Sequence, residues 1–265
     1  MSNARNIASG AKFVDTAGDT MTGDLTVDTN TFHVDVADNR VGIGTSTPDM
    51  GKLQINEDAA ASTAIFIRNR HNVAGTHSDI TFGYGEASNS YGAGIRFRQV
   101  DTTHGGQIEL YTDNASGAYT KQMQITENGH VTMPNQPAFA ATRNAGDVGT
   151  GQTYVYNNLY FNRGNHYNSS NGRFTAPVAG VYSVHTNHMD ISGAAHTNLY
   201  YNILKNGSAY QHVYGTNPTA GTHHRWSWSG IIEMAVNDYL TIYTANMSLY
   251  GGGNGYTNFS AALLG

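Results

Sequence analysis

Short apolar runs alternate with polar residues through the middle of the chain at a steady interval. Ala64-Ile65-Phe66-Ile67, Ile80-Thr81-Phe82, Ile95-Arg96-Phe97, Ile108-Glu109-Leu110 and Met123-Gln124-Ile125 follow one another every 13 to 15 residues, separated by Gly, Asn, Ser and His. A period of two predicts strands with one apolar face. The opposite faces carry Arg96, Arg98, Gln107, Glu109, Gln122 and Gln124. A single sheet of this kind must bury its apolar face against something, and the economical cover is another copy of the same chain. Residues 53–133 are therefore expected to form a repetitive β stalk, intertwined as a trimer.

The flanking regions differ in rhythm. Residues 1–52 hold three short alternating runs, Asp24-Leu25-Thr26-Val27, Phe32-His33-Val34-Asp35-Val36 and Arg40-Val41-Gly42-Ile43, with room for one or two helical turns over 3–13. The break Thr45-Ser46-Thr47-Pro48-Asp49 closes that region, and Met133-Pro134-Asn135-Gln136-Pro137 reads as an extended linker, since residues before proline avoid the helical region. Residues 134–265 have longer runs and most of the tyrosines. Asn206-Gly207, between Leu199–Lys205 and Ser208–Tyr214, predicts a two-residue hairpin because both residues accept positive φ. Val236-Asn237-Asp238-Tyr239 predicts a second tight turn. Eight or more closely spaced strands in this region suggest a jelly-roll β-sandwich. The expected fold class is thus all-β, a trimeric β-strand stalk followed by a jelly-roll head.

Composition narrows the class. Only 12% of the 265 residues are charged, whereas Gly, Thr and Asn, at 31, 29 and 27, make up a third of the chain. These are poor helix formers, and the good ones Lys and Glu number four and five. The absence of cysteine excludes disulfides and thiolate metal sites. A net charge of −5 leaves no electrostatic footprint for nucleic acid. No apolar run approaches a membrane span, so no membrane insertion is expected.

Several ordered motifs carry a resemblance. Pro137-Ala138-Phe139-Ala140-Ala141, Asn162-Arg163-Gly164-Asn165-His166-Tyr167, Gly172-Arg173-Phe174-Thr175-Ala176-Pro177-Val178-Ala179-Gly180-Val181-Tyr182, Leu204-Lys205-Asn206-Gly207 and the closing Phe259-Ser260-Ala261-Ala262-Leu263-Leu264 resemble the complement component 1q-like head over nearly all of 137–265. The resemblance implies a ten-strand jelly roll, related to tumour necrosis factor, that associates as a tight trimer. Asn237-Asp238 stands where that family usually has Gly-Asp, and no collagen-like stalk precedes the head. Gly18-Asp19-Thr20-Met21-Thr22-Gly23-Asp24-Leu25, Asn39-Arg40-Val41-Gly42-Ile43-Gly44-Thr45 and Ser2-Asn3-Ala4-Arg5-Asn6 are similar to segments of bacteriophage tail fibres and related adhesins. Together the resemblances imply a short trimeric phage fibre: 1–52 for virion attachment, 53–133 as stalk, and 134–265 as head.

The chemistry points to binding rather than catalysis. The last region has four carboxylates, Asp147, Asp190, Glu233 and Asp238, with no evident facing pair for glycoside hydrolysis. No Gly-x-Ser-x-Gly elbow occurs. Gly83-Tyr84-Gly85 and Gly42-Ile43-Gly44 lack the strand-loop-helix setting of a phosphate loop and are read as turns. Of the twelve histidines, His185 and His188 should point to opposite faces of one strand, and His223-His224 should diverge; solvated or interface positions are expected rather than a metal site. Calcium sits at the trimer apex in some members of the head family, but only Asp190 falls near that position, so no metal and no cofactor are expected. Trp226-Ser227-Trp228 places both indoles on one face, where packing is expected in preference to sugar stacking.

The resemblance implies that the C-terminal strand, about Tyr256–Leu264, ends at the base where the stalk enters. Strand alternation from there places the segments Met189–His196, Gly215–His224 and Leu249–Gly255 at the far end of the head, and Asn206-Gly207 and Val236–Asp238 at its base. The long loops collect at one end, where binding commonly resides. Asp190, Ser192, His196, Asn217, Thr219, His223, Tyr250, Asn254 and Tyr256 are the candidate ligand-binding residues. The expected function is a non-enzymatic homotrimeric virion adhesin. Its N-terminal segment contacts other virion proteins, with the tail as location and the capsid surface as alternative, and its head binds a host-surface glycan or protein. A capsid-decorating or tail-assembly trimer is the second reading, and a polysaccharide depolymerase the third.

Overall fold

The computed structural model describes residues 24–28, 31–55, 65, 67, 69–70, 73–83, 91–102, 105–113, 117–191, 196–253 and 255–265. Every regular element among them is a strand. Two compact units divide the chain, Met1–Arg70 and His71–Gly265.

The first unit contains β1 (Leu25–Val27), β2 (Phe32–Asp35), β3 (Arg40–Ile43) and β4 (Leu53–Ile55), paired in that order. Asn39 turns the chain from β2 to β3 at φ 54°. Gly42 leaves room for the next bend, because a Cβ there would lie 2.4 Å from the Thr45 carbonyl oxygen. The Asn39–Thr45 motif is therefore a turn, a strand and a close return. Arg40 then ties the return down by donating to the Pro48 carbonyl at 2.7 Å. β4 pairs parallel to β3, Val41 opposite Leu53. A boundary at 52/53 consequently falls too early: Leu53–Ile55 belongs to the first sheet. The possible helical turns over 3–13 and the motifs within 2–23 lie outside the described residues.

The second unit opens with a five-stranded antiparallel meander, β5 (His77–Gly83), β6 (Tyr91–Gln99), β7 (Gly106–Asp113), β8 (Tyr119–Ile125) and β9 (Val131–Thr132). Four of the five alternating runs are strands. Ile65 and Ile67 of the remaining run lie outside any strand, with 64, 66 and 68 beyond the described residues. Register aligns Ile80, Ile95, Leu110 and Met123 in one row, and Phe97, Ile108, Ile125 and Val131 in the next. This apolar face is open, Phe82 being 70% and Ile80 51% exposed.

The other face is closed by polar chemistry. Arg96 donates twice to Asp79, at 2.9 and 2.8 Å, and its guanidinium lies 4.5 Å over the Tyr111 ring. Glu109, fully buried, accepts from Gln107 at 2.7 Å, Tyr111 at 3.0 Å and Lys121 at 3.0 Å. Burial acts to raise the Glu109 pKa, but the hydrogen bonds from Lys121 and Tyr111 outweigh it and hold it below the usual value. The Arg96 hydrogen bonds likewise hold Asp79 down. One face of the sheet is thus tied largely within the chain, Asp113 Oδ1 being a buried exception, and the other is bare.

The linker expected to be extended contains a turn, the Gln136 N–H bonding the Met133 carbonyl at 3.2 Å. Asn135 donates back to Gln122 at 2.9 Å, and Gln136 donates forward to the Leu263 carbonyl at 2.9 Å.

The head follows as β10 (Ala138–Thr142), β11 (Thr153–Tyr154), β12 (Asn158–Arg163), β13 (Tyr167–Asn168), β14 (Arg173–Thr175), β15 (Gly180–Met189), β16 (His196–Lys205), β17 (Ser208–Asn217), β18 (Arg225–Met234), β19 (Tyr239–Tyr243) and β20 (Asn258–Leu263). One sheet has the order β12-β10-β20-β15-β18 and the other β13-β14-β19-β16-β17, with β11 joined to β19. This is a two-sheet jelly roll. Between the sheets Phe139 stacks on Tyr167 at 4.5 Å and on Phe174 at 4.9 Å, and meets Phe259 edge-on at 4.9 Å. The motif residues Phe139, Phe174, Ala176, Tyr182 and Phe259 are all core, so the signature is a packing signature. Trp226 joins the core and Trp228 packs against it, whereas Ile231 faces out.

Asn206 and Gly207 take φ 54° and 80° between Lys205 and Ser208, which pair directly, and Asn237 takes φ 68°. The two turns meet. Asp238 accepts from Asn206 at 2.7 Å, from the Ala235 N–H at 2.8 Å and from Lys205 at 3.0 Å. The Asn206 hydrogen bond, then those of the Ala235 N–H and Lys205, hold its pKa down to about 2.

Candidate functional site

At the end of the sandwich opposite the Pro137–Leu263 junction, β15 runs out at Met189 and three connections converge. Asp190 bridges to Leu249, and Val148 bridges to the same residue. The Asp190 carboxylate accepts from Asn217 at 2.8 Å and from the His224 N–H at 2.6 Å, while its carbonyl accepts from His223 Nδ1 at 2.7 Å. Asn217 in turn donates to the Thr222 carbonyl at 2.9 Å and accepts from the Thr219 N–H at 3.2 Å. The 218–224 connection is folded back upon Asn217 in this way. Asp190 and Asn217 are 3% and 1% exposed. They position the loops and do not reach solvent.

What they position is a strip of rings. His223 meets Tyr250 at 5.4 Å, Tyr250 meets Tyr256 edge-on at 5.5 Å, and the Arg225 guanidinium lies 5.5 Å over Tyr256. Tyr250 is pinned through its N–H to the Met189 carbonyl at 2.8 Å. The strip offers aromatic edges, imidazole and a guanidinium, a set suited to polar, adaptable recognition.

Of the nine sequence candidates, Asp190, Asn217, Thr219, His223, Tyr250 and Tyr256 are brought together. Ser192 and Asn254 lie outside the described residues. His196 opens β16 in register with Asn217. Sequence reasoning missed Arg225 and Tyr160. Arg225 directly follows the 218–224 connection, and a cation at a loop's exit was an available signal. Tyr160 is on β12, and its hydroxyl lies 3.6 Å from where a Gly255 Cβ would stand; only the register reveals that neighbourhood.

A glycine governs this end. A Cβ on Gly251 would sit 1.7 Å from the Gly146 carbonyl oxygen, backbone against backbone. Gly251 also donates to Asp147 at 2.9 Å. Gly251→Ala is therefore expected to cost about 2 kcal/mol through enforced backbone displacement, read as a lowered urea midpoint; an unchanged midpoint would show that the segments yield freely.

The remaining titratable groups are mostly structural. Asp147, Asp190 and Asp238 all hold turns. Among the described residues no cluster of three or more His, Asp or Glu is arranged to hold a metal ion. His185 faces outward between Ser183 and Ser229, each at 2.9 Å. His188 departs from the expected solvated or interface position. It is fully buried, hydrogen bonded through Nε2 to the Tyr156 hydroxyl, with Tyr201 at 4.3 Å and Tyr154 at 5.4 Å. Burial pushes its pKa down to about 3 and that of Tyr156 well above 10. The phenol therefore keeps its proton and donates it.

Residues 138–264 match the family model of the C1q domain. None of the curated proteins matches the chain. Among solved structures, the chain is similar to the globular domain of zebrafish complement 1qA protein at 17% identity, over 49% of this chain and 98% of that one, with a TM-score of 0.37. It is also similar to Eiger TNF from S. frugiperda at 9% identity, over 49% and 94%, with a TM-score of 0.41. Murine APRIL at pH 5.0 is similar at 12% identity, over 49% and 99%, with a TM-score of 0.37.

Proposed function

We propose that this chain, headed by a C1q/TNF-like jelly roll, is the subunit of a short homotrimeric virion tail fibre whose head binds a host-surface receptor. The observation that carries the reading is the two-faced meander. Its polar face is tied largely within the chain, whereas its apolar face leaves Ile80, Phe82, Ile95, Phe97, Ile108 and Leu110 exposed in adjoining rows, a contiguous patch of the kind that marks an interface. Two further copies of the same sheet supply matching cover. Support for the virion setting comes from the fibre-like Asn39–Thr45 segment. Support for the binding end comes from the His223–Tyr250–Tyr256–Arg225 strip. Three such strips on one fibre would multiply weak contacts through effective concentration.

Two measurements test this. Sedimentation equilibrium should return three times the 28.5 kDa chain mass; a monomer would end the trimer argument. Saturating purified chain, incubated with host cells, should block adsorption of the virions that carry it. Undiminished adsorption would remove receptor binding and leave an assembly role.

A further inference from the structure

We propose that a second site, on the outer face of the six-membered sheet near the base of the head, binds a carboxylate-bearing sugar through Arg173. The site is a cleft of about 470 Å³ bordered by Thr153, Asn171, Arg173, Gly207, Tyr239 and Thr241. That volume is within the range of small-molecule sites, ~300–1,000 Å³. It does not depend on the fibre reading.

The guanidinium is the centre of the argument. The Arg173 guanidinium lies over the Tyr239 ring, its carbon 4.1 Å from the ring centroid. Among the described residues it makes no ion pair and no side-chain hydrogen bond. The ring contact uses none of the N–H hydrogen-bonding capacity, so the guanidinium is held against Tyr239 with its fork left unused. Tyr239 is itself held: its N–H donates to Asn206 Oδ1 at 2.9 Å, and it pairs with Thr175 across the sheet. A cation fixed in advance loses little entropy when it takes a ligand.

The surroundings select the anion. No carboxylate lines the cleft, and Asp238 on the preceding turn is already paired with Lys205 at 3.0 Å. A single planar fork matches the two coplanar oxygens of a carboxylate, whereas a phosphate dianion would need a second cation that the cleft does not contain. The neighbours suit sugar hydroxyls. Thr153 and Thr241 bring hydroxyl groups, and Asn171, whose Oδ1 already accepts the Arg173 N–H at 3.1 Å, keeps its amide N–H groups for a ligand. An aromatic ligand is disfavoured, since the Tyr239 face is taken by Arg173.

Titration of the full chain with glucuronate, glucose and acetate, followed by calorimetry or NMR, tests the assignment. Glucuronate should saturate at ~1–10 mM, the range of a weak single-sugar site, with glucose and acetate each at least tenfold weaker. Arg173→Ala should weaken glucuronate at least tenfold. Arg173→Lys, which keeps the charge but loses the fork, should do the same at an unchanged melting temperature. Equal binding of acetate would overturn the sugar assignment, and equal binding of glucose the carboxylate. Full affinity in Arg173→Ala or Arg173→Lys, or no glucuronate signal, would overturn the site.

Discussion

Lowering the pH from 7 to 4 is expected to destabilise the head by about 3 kcal/mol, and by about 4 kcal/mol at pH 3, through His188 alone. Burial holds the folded pKa of His188 near 3, whereas an exposed histidine in the unfolded chain titrates at about 6.5. The unfolded chain therefore binds a proton that the folded chain refuses. Stability from this group is complete above about pH 6.5 and declines as the pH falls toward 3. The physical reason is visible around the ring: Tyr154, Tyr156 and Tyr201 enclose it, and Nδ1 has no hydrogen-bond partner among the described residues. An imidazolium would sit there without a counterion. Domains of this size are stable by roughly 5–15 kcal/mol, so the loss is a large share of the total. Urea midpoints at pH 7, 5 and 4 would measure it. His188→Gln, which keeps an acceptor for Tyr156 but does not titrate, should flatten the slope between pH 6.5 and 4. An unchanged slope in that variant would place the acid sensitivity elsewhere. Asp238, held down to about 2 by the Asn206, Ala235 and Lys205 hydrogen bonds, keeps its contribution above about pH 4 and loses it as the pH falls from there toward 2.

In the proposed trimer, Ile95→Asp is expected to break the contact between meanders and leave only the association that the heads provide. Ile95 stands mid-sheet between Ile80 and Leu110 on the bare face. A carboxylate there would be buried between copies once per chain, three times in the assembly, with no cation on that face to meet it. Burying one unpaired charge costs several kcal/mol, so the threefold association constant should fall by many orders of magnitude. Folding of each chain should survive, because the substituted position is already 39% exposed in the single chain. Glu109→Gln is the complementary variant: it alters the closed polar face and should weaken the sheet while leaving the trimer mass intact. Sedimentation of both separates the roles of the two faces. An association constant unchanged in Ile95→Asp would mean that the apolar face is not part of the interface.

The sheets were legible in the sequence to the extent that side chains announce a face. Alternation identified Ile80, Ile95, Ile108 and Met123 as members of strands, because a period of two survives any register. It could not show that Leu53–Ile55 completes the first sheet, since parallel pairing to β3 depends on the close return at Gly42 rather than on its own pattern. The core motifs of the head were recognisable because Phe139, Phe174 and Phe259 pack on one another and leave little freedom of substitution. The candidate site was half legible. Loop length located its end of the sandwich, but Asp190 and Asn217 look like surface residues in sequence and are buried ties in the structure. A polar residue that holds a loop and one that holds a ligand are of the same type, and only burial separates them. Tyr160 enters from a strand more than twenty residues before the loops begin, and no local pattern announces that proximity.

The pairing of β10 with β20 has a consequence for how the molecule is made. The first strand of the head lies beside the last, Phe139 opposite Ala261, and β15 flanks the same closing strand. During synthesis the sheet cannot close, nor the Phe139–Phe259 contact form, until β20 has left the ribosome. Until then the meander, whose pairings are local and fast to form, waits with its apolar face bare. Loss of β20 would remove the centre of a sheet rather than an edge strand. A chain with a stop codon at Asn258 should accumulate as aggregate, so that completion of β20 acts as the checkpoint for release of a competent subunit.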